Sequence, residues 1–366
     1  MKKYAKNEIS LMQFIFIING AQVGTGIMSL SGELAASSGT DGWMSLIIGW
    51  LLNLVACLLI IQVFKRFPDD TVYDLLKRLF GKWLSLLVVI PITLYFTIFC
   101  CLVQIKAMLY IKAWFLPQTP DYLIMFLFAI PTYMVAGKGL RILGRYNELV
   151  FYLTAWMPFT LLFVLKECHW LHLLPLFKDG IMPVIRGVEP SIYSILGFEV
   201  LWIIYPFLKY KEKATQGVII ANSITILAYI MATIICFAFF SPDEITSYHQ
   251  PLLSLLKMIE FSFLERFDMI FLAFFLFVVS SSWISFMFMA AFGVSQMVRK
   301  QDHSPYVAII AVLIIVMVFV IHPSWNQANE WQKWSSRMGI GVAYALPLLL
   351  WAYVQVYIRF HKGDTR

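Results

Sequence analysis

The sequence predicts an all-α integral membrane protein of ten transmembrane helices, arranged as a five-plus-five inverted repeat with helices 1 and 6 broken. Three observations predict it. The 366 residues are 60% hydrophobic and only 13% charged, with a mean hydropathy of +0.78. Soluble domains carry about 25% charged residues, so polar groups here are too few to cover a water-facing surface. Apolar runs recur between clusters of charge, and about 20 residues cross a bilayer. Two of the runs are interrupted by glycine and polar residues in corresponding places. The composition excludes a cytosolic enzyme, a disordered chain and a nucleic-acid module. Ten spans leave no room for a separate soluble domain, so residues 1–366 read as one transmembrane domain.

The spans are expected near 9–34, 43–64, 83–112, 121–137, 146–165, 190–208, 215–240, 267–298, 305–322 and 338–358. The basic start, MKKYAKNEIS, runs into a full span without a small-residue cleavage site and reads as a retained cytoplasmic end. DDTVYDLLKRLFGKW (69–83) is short and amphipathic. With Asp70 as N-cap, an Asp74/Arg78 pair and Gly81 as its stop, it is expected on the membrane surface. PLLSLLKMIEFSFLERF (251–267) is apolar for too few residues to span and reads as re-entrant or interfacial.

Charge sets the orientation. With both termini cytoplasmic, 19 of the 28 Lys and Arg fall inside and 8 outside, with Lys106 within span 3. Had 251–267 crossed, Arg299, Lys300, Arg359, Lys362 and Arg366 would move outside, against the positive-inside rule. The net charge of +7 is thus an orientation signal, and no nucleic-acid partner is inferred from it. Of the five cysteines, Cys57, Cys100, Cys101 and Cys236 lie within spans and only Cys168 reaches the outer face, so no disulfide framework is available. Trp43, Trp83, Trp114, Trp170, Trp325, Trp331 and Trp334 read as interfacial anchors.

The breaks carry the functional signal. In NGAQVGTGIMSLSGEL (19–34), Gly20, Gly24, Gly26 and Gly32 crowd together with Gln22 and Thr25 between them. Backbone freed at mid-membrane is tolerated where it lines a cavity; close helix packing through small residues is the plainer alternative. In span 6, Gly197-Phe198-Glu199 places a carboxylate midway through the membrane, a functional candidate or a paired structural acid. These positions correspond if the halves are about 9–166 and 190–358. A broken helix offers free N–H groups to a carboxylate and free C=O groups to an ammonium, so two of them could clamp an α-amino acid. Tyr95, Phe96 and Phe99 could wall the pocket or simply pack. Ser280, Ser281 and Ser282 could contact ligand or a cation, or back-bond to their own helix. Lys106 could snorkel, pair with an acid or contact ligand. Asn19, Asn53 and Asn222 are expected to be interhelical hydrogen-bonders. His169 and His172 have no acid or cysteine at metal spacing, and no enzyme motif stands out.

Gly24-Thr25-Gly26, Asp41-Gly42-Trp43, Gly197-Phe198-Glu199 and Phe263-Leu264-Glu265-Arg266-Phe267, in this order and spacing, resemble the spore germination permease family. These are the B subunits of endospore germinant receptors, in the amino acid–polyamine–organocation superfamily. The resemblance implies the LeuT-like inverted-repeat fold in the spore inner membrane. It also implies a small nutrient ligand, an amino acid or sugar, and work alongside an A subunit and a lipoprotein C subunit. The ligand-binding candidates are Gly20, Gln22, Gly24, Thr25, Gly26, Tyr95, Phe99, Gly197, Phe198, Glu199 and Ser281. No cofactor is expected, and no metal beyond a sodium near Ser281 and Ser282. Some proton-coupled members of the superfamily carry a Lys in mid-span 5. Here span 5 has only Lys166, at its outer end, which argues against coupling of that type.

Three functions fit: a ligand-sensing receptor subunit, an amino acid secondary transporter, and a channel-forming or structural component of a receptor complex. Binding and uptake separate the first two, because sustained flux is required of a transporter and not of a sensor. Normal assembly with altered nutrient specificity would count against the third.

Overall fold

A computed structural model describes residues 7–261 and 266–360. Phe263, Leu264 and Glu265 of the motif before span 8 lie outside the described residues, as do Lys2, Lys3, Lys6, Lys362 and Arg366. The regular secondary structure of the described residues is helical, apart from one isolated parallel bridge between Ile9 and Leu208. The helices are α1 (Leu11–Gln22), α2 (Gly26–Ser38), α3 (Gly42–Arg66), α4 (Val72–Trp114), α5 (Asp121–Ala136), α6 (Leu140–Thr154), α7 (Met182–Ser194), α8 (Leu201–Ile204), α9 (Ala214–Phe239), α10 (Pro251–Leu256), α11 (Phe267–Val298), α12 (Ser304–Ile321), α13 (Trp325–Ile340) and α14 (Leu346–Phe360).

Among the described residues, seven helical stretches are long and apolar enough to cross a bilayer. The pair Met182–Ser194 and Phe198–Phe207, bent by 49°, makes an eighth. Helices α1 and α5 are apolar but shorter. The first expected span is broken as anticipated: α1 ends at Gln22 and α2 starts at Gly26.

Three boundaries differ from expectation. Span 6 begins at Met182 rather than at Pro190, which lies inside α7. Pro183 takes the first turn, where a missing N–H costs nothing. The last span begins at Trp325, because polar α13 is sheltered against α4 rather than left as a loop. A π-helical turn, Gly341–Ala345, joins it to α14. The segment 69–83 starts α4, and Gly81 (φ +75°) separates its first turns from the spanning part. Its N-cap is Thr71, not Asp70, in a reciprocal capping box with Asp74. Arg78 pairs with Asp70 instead of Asp74.

Short α10 buries Leu252, Leu253, Leu255 and Leu256. The outer surface of the bundle is apolar: Leu87, Ile90 and Leu94 of α4 and Val312, Leu313, Val316 and Val320 of α12 are exposed. On α12 only a stripe at Val307, Ile310, Ala311, Ile314 and Val318 is buried. A helix apolar all round with one packed stripe is what lipid on the remaining faces requires. Central α11 packs on α1, α4, α5, α6 and α12. Ile9 N–H donates to Phe207 O (2.9 Å) and Lys209 N–H to Ile9 O (3.1 Å), which ties the start of the first span to the end of the sixth.

Candidate functional site

The two breaks meet backbone to backbone. Gly197 has φ +132°, a region open to glycine and strained for other residues. A Cβ on it would stand 2.5 Å from the Ala21 carbonyl carbon and oxygen and 2.7 Å from Gln22 N. Only a residue without a side chain lets the sixth span approach the end of α1 so closely.

Ending α1 within the span leaves its last carbonyls in need of partners, and each from Asn19 to Gln22 has a donor nearby. Asn19 O accepts from Val23 N–H (2.9 Å). Gly20 O faces Ser281 Oγ (3.3 Å) and Ala21 O faces Ser282 Oγ (3.2 Å). Gln22 O faces Tyr229 OH (3.4 Å). Two of these donors are shared: Ser281 also reaches Val278 O (2.6 Å), and Tyr229 also reaches Ser194 O (2.9 Å). Ile195 O, at the end of α7, accepts from Gln22 Nε2 (3.2 Å) and Asn53 Nδ2 (3.1 Å). The interhelical asparagines do what their type suggests. Asn19 Nδ2 donates to Thr225 Oγ1 (2.9 Å), Asn222 Oδ1 accepts from Gln22 Nε2 (2.9 Å), and Asn53 accepts from Tyr344 OH.

The N–H side differs. Thr25, at the N-terminus of α2, makes no side-chain cap. Gly24, Thr25 and Gly26 line a cavity of about 40 Å³, together with Ala21, Gln22, Phe99, Leu102, Val103, Lys106, Tyr193, Ser194, Leu196, Ser282, Gln332 and Ser335. Lys106 is buried and donates to Gln332. The buried hydroxyl of Ser335 has no hydrogen-bond partner among the described residues. A helix N-terminus without a side-chain cap and a buried ammonium lining one cavity are groups that could receive an anion.

The expected site residues therefore divide. Gln22, Gly24, Thr25, Gly26 and Phe99 line this cavity. Gly20 and Ser281 line a separate cavity behind the first span. Tyr95, Gly197, Phe198 and Glu199 form a fully packed tier in which Glu199 accepts from Tyr95 OH and from Gly197 N–H (2.8 Å). Phe198 meets the Tyr344 ring edge-on at 5.5 Å. Glu199 thus has internal partners, and Lys106 is not among them. Ser280 and Ser281 back-bond to Phe277 O and Val278 O, while Ser282 reaches across to the first span. Asp41 stands at the N-cap position of α3 without a side-chain cap bond: its Oδ2 accepts from Phe177 N–H (2.9 Å). The residues missed from the sequence are mainly Gln332 and Ser335. The signal was available in the polar run NQANEWQKWSSR, which is too helical in pattern for a loop.

The fold is shared with solved transporters. A Na+-coupled sialic acid symporter in its substrate-bound outward-open state superposes with a TM-score of 0.67 at 10% identity, over 93% of this chain and 79% of that one. MhsT in complex with L-phenylalanine superposes with a TM-score of 0.63 at 12% identity, over 95% and 99%. In sequence, the chain is similar to spore germination protein YndE of Bacillus subtilis (strain 168), 27% identical over 94% of this chain and 95% of that protein. It is similar also to GerLB of Bacillus cereus, 26% identical over 99% and 98%, and to GerQB of Bacillus cereus, 22% identical over 97% and 98%. The spore germination protein family, that of the spore permeases, matches residues 8–327. With broken first and sixth spans on a LeuT-like helical fold and a family match over most of its length, this chain belongs to the spore germination permease family.

Proposed function

We propose that the chain is the membrane subunit of a spore germinant receptor, and that it binds a small amino acid at the unwound parts of the first and sixth spans. The observation that carries this reading is the small cavity at Gly24–Gly26. The N-terminus of α2, which has no side-chain cap, and the Lys106 ammonium suit a carboxylate, and Gln332 and Ser335 offer further polar contacts. The expected two-ended clamp is modified. The carbonyl ends are already met by Ser281, Ser282, Tyr229, Gln22 and Asn53, so the ligand is held chiefly by its carboxylate. A cavity of about 40 Å³ admits only a few waters, so binding requires its walls to part, beginning at Lys106–Gln332. A ligand that favours one arrangement of these walls shifts the equilibrium that an A subunit and a lipoprotein C subunit would read. The repeats would run about 9–166 and 190–358, with both termini cytoplasmic in the spore inner membrane.

The test is radiolabelled binding and uptake by purified protein in liposomes across amino acids and sugars. Saturable binding of a carboxylate ligand, lost in Lys106→Met and in Gly24→Trp, supports the reading. A panel in which nothing binds defeats it. The transporter fold of the solved neighbours favours one second reading, an amino acid secondary transporter. Concentrative uptake driven by a cation gradient would establish that reading, and sodium dependence would point to Ser281 and Ser282.

A further inference from the structure

Lys106 brings a positive charge into the wall of the small cavity at Gly24–Gly26, and only 8% of the residue is exposed. It donates to Gln332 Oε1, which carries no charge. Among the described residues no carboxylate lies within ion-pair distance of it. Glu33, whose field reaches it, is exposed on α2. Glu199, the other acid buried nearby in sequence-predicted reach, accepts from Tyr95 and Gly197 instead. An ammonium withdrawn from water needs a counter-charge close by, because a neutral amide offsets only part of its lost hydration. The N-terminus of α2 bounds the same cavity, and Thr25 makes no side-chain cap there. Its partial charge is positive as well. Two groups of one sign thus share a space of about 40 Å³. Such a space takes a few waters and hence one monatomic ion, but no amino acid unless the walls part. The rest of the wall is largely apolar, with Phe99, Leu102, Val103 and Leu196.

We infer that, before the nutrient enters, this cavity holds one halide ion against Lys106, and that the nutrient carboxylate displaces it. Sign and size select the occupant. A cation would face two positive groups. Sulfate or phosphate would exceed the space and bring a second charge with no partner. Water alone would leave the ammonium uncompensated. The halide fits the closed arrangement of the walls, whereas the nutrient needs them parted, so the ion favours the closed state and opposes the nutrient. The displacement rests on the amino acid reading above; the halide site itself does not.

The experiment uses the purified full chain in phosphatidylcholine nanodiscs. Chloride replaces gluconate, which is too large for the cavity, at constant sodium and ionic strength. Chloride should raise the thermal unfolding midpoint saturably, by about 3 °C at a tenfold excess over its Kd, and bromide should do the same. Lys106→Met removes the charge and should lose the response. Gly24→Val fills the cavity from a position where an added Cβ would meet only Ser282 Oγ, at 3.9 Å. It should lose the response too, so the test stands even where Lys106→Met folds poorly. No chloride response in the unmodified chain, or the same response in either variant, would overturn the inference. For an amino acid that binds, the same excess of chloride should raise its apparent Kd about tenfold and leave the number of sites unchanged. An unchanged Kd would overturn the displacement. A panel in which no amino acid binds defeats the nutrient reading, while the chloride response still decides the halide site.

Discussion

Gly24 and Gly197 both stand at helix breaks, but different constraints hold them there. A Cβ on Gly24 would meet only Ser282 Oγ at 3.9 Å, whereas one on Gly197 would strike the backbone of α1 at 2.5 Å. Gly24→Ala should therefore fold normally and alter ligand affinity. Gly197→Ala should lose folded protein, since it adds about 1–3 kcal/mol of backbone strain to a steric overlap. Size-exclusion profiles and ligand binding of the two variants check this, and equal yields would refute it. Glu199 reads from the sequence as a costly mid-membrane charge, and the structure supplies its partners, Tyr95 OH and Gly197 N–H. Glu199→Gln keeps an acceptor for Gly197 and a polar contact for Tyr95. Glu199→Ala leaves two buried donors unmet, at about 1–3 kcal/mol each. Thermal unfolding should rank wild type close to Gln and both well above Ala. If Gln falls as far as Ala, the negative charge itself is needed.

At the scale of elements, the broken ends are stabilised by neighbouring helices. Ser282 of α11 provides the donor for Ala21 O, and Ser281 shares its proton between Gly20 O and Val278 O. Ser282→Ala should cost about 1–3 kcal/mol through the orphaned carbonyl, and Ser281→Ala less, because its shorter bond is within its own helix. Denaturation midpoints of the two variants in one detergent would show the order. The π turn between α13 and α14 works similarly: Val342 O accepts from Trp202 Nε1 (3.2 Å), and Tyr344 reaches Asn53. His303, just before α12, bonds Ala136 O through Nε2 (2.9 Å) and stacks edge-on against Phe288 at 5.0 Å. Burial lowers its pKa below the usual 6.5, outweighing the raising effects of Ala136 O and Asp302. The unfolded chain therefore takes up the proton first, and stability should fall as pH drops below about 6.5. His303→Gln should flatten that slope in unfolding scans from pH 7.5 to 5.

At the scale of the molecule, orientation is the open quantity that one thiol can measure. Cys57, Cys100, Cys101 and Cys236 are buried, and Cys168 is partly exposed. Partial burial, with Glu167 adjacent, raises the Cys168 thiol pKa, so labelling should be done above pH 8. A membrane-impermeant maleimide should mark Cys168 in sealed cells. Labelling that appears only after permeabilisation would reverse the orientation drawn from the Lys and Arg distribution.

Composition and apolar runs were enough to determine a helical membrane protein and most of its spans, because lipid imposes a length and a polarity on every crossing segment. The glycines and polar residues of 19–34 and 195–199 located both breaks, because free backbone in a bilayer needs special residues around it. Tertiary structure alone decided what those residues do. Glu199, Phe198 and Tyr95 turned inward into a packed tier, Gly20 and Ser281 faced a second cavity, and Gln332 and Ser335 reached the first cavity from α13, most of which lies outside the expected spans. Which face a polar side chain presents, and whether a neighbour already satisfies it, depends on contacts between segments up to some 300 residues apart, as in Asn53 with Tyr344. Local periodicity carries no record of those pairings.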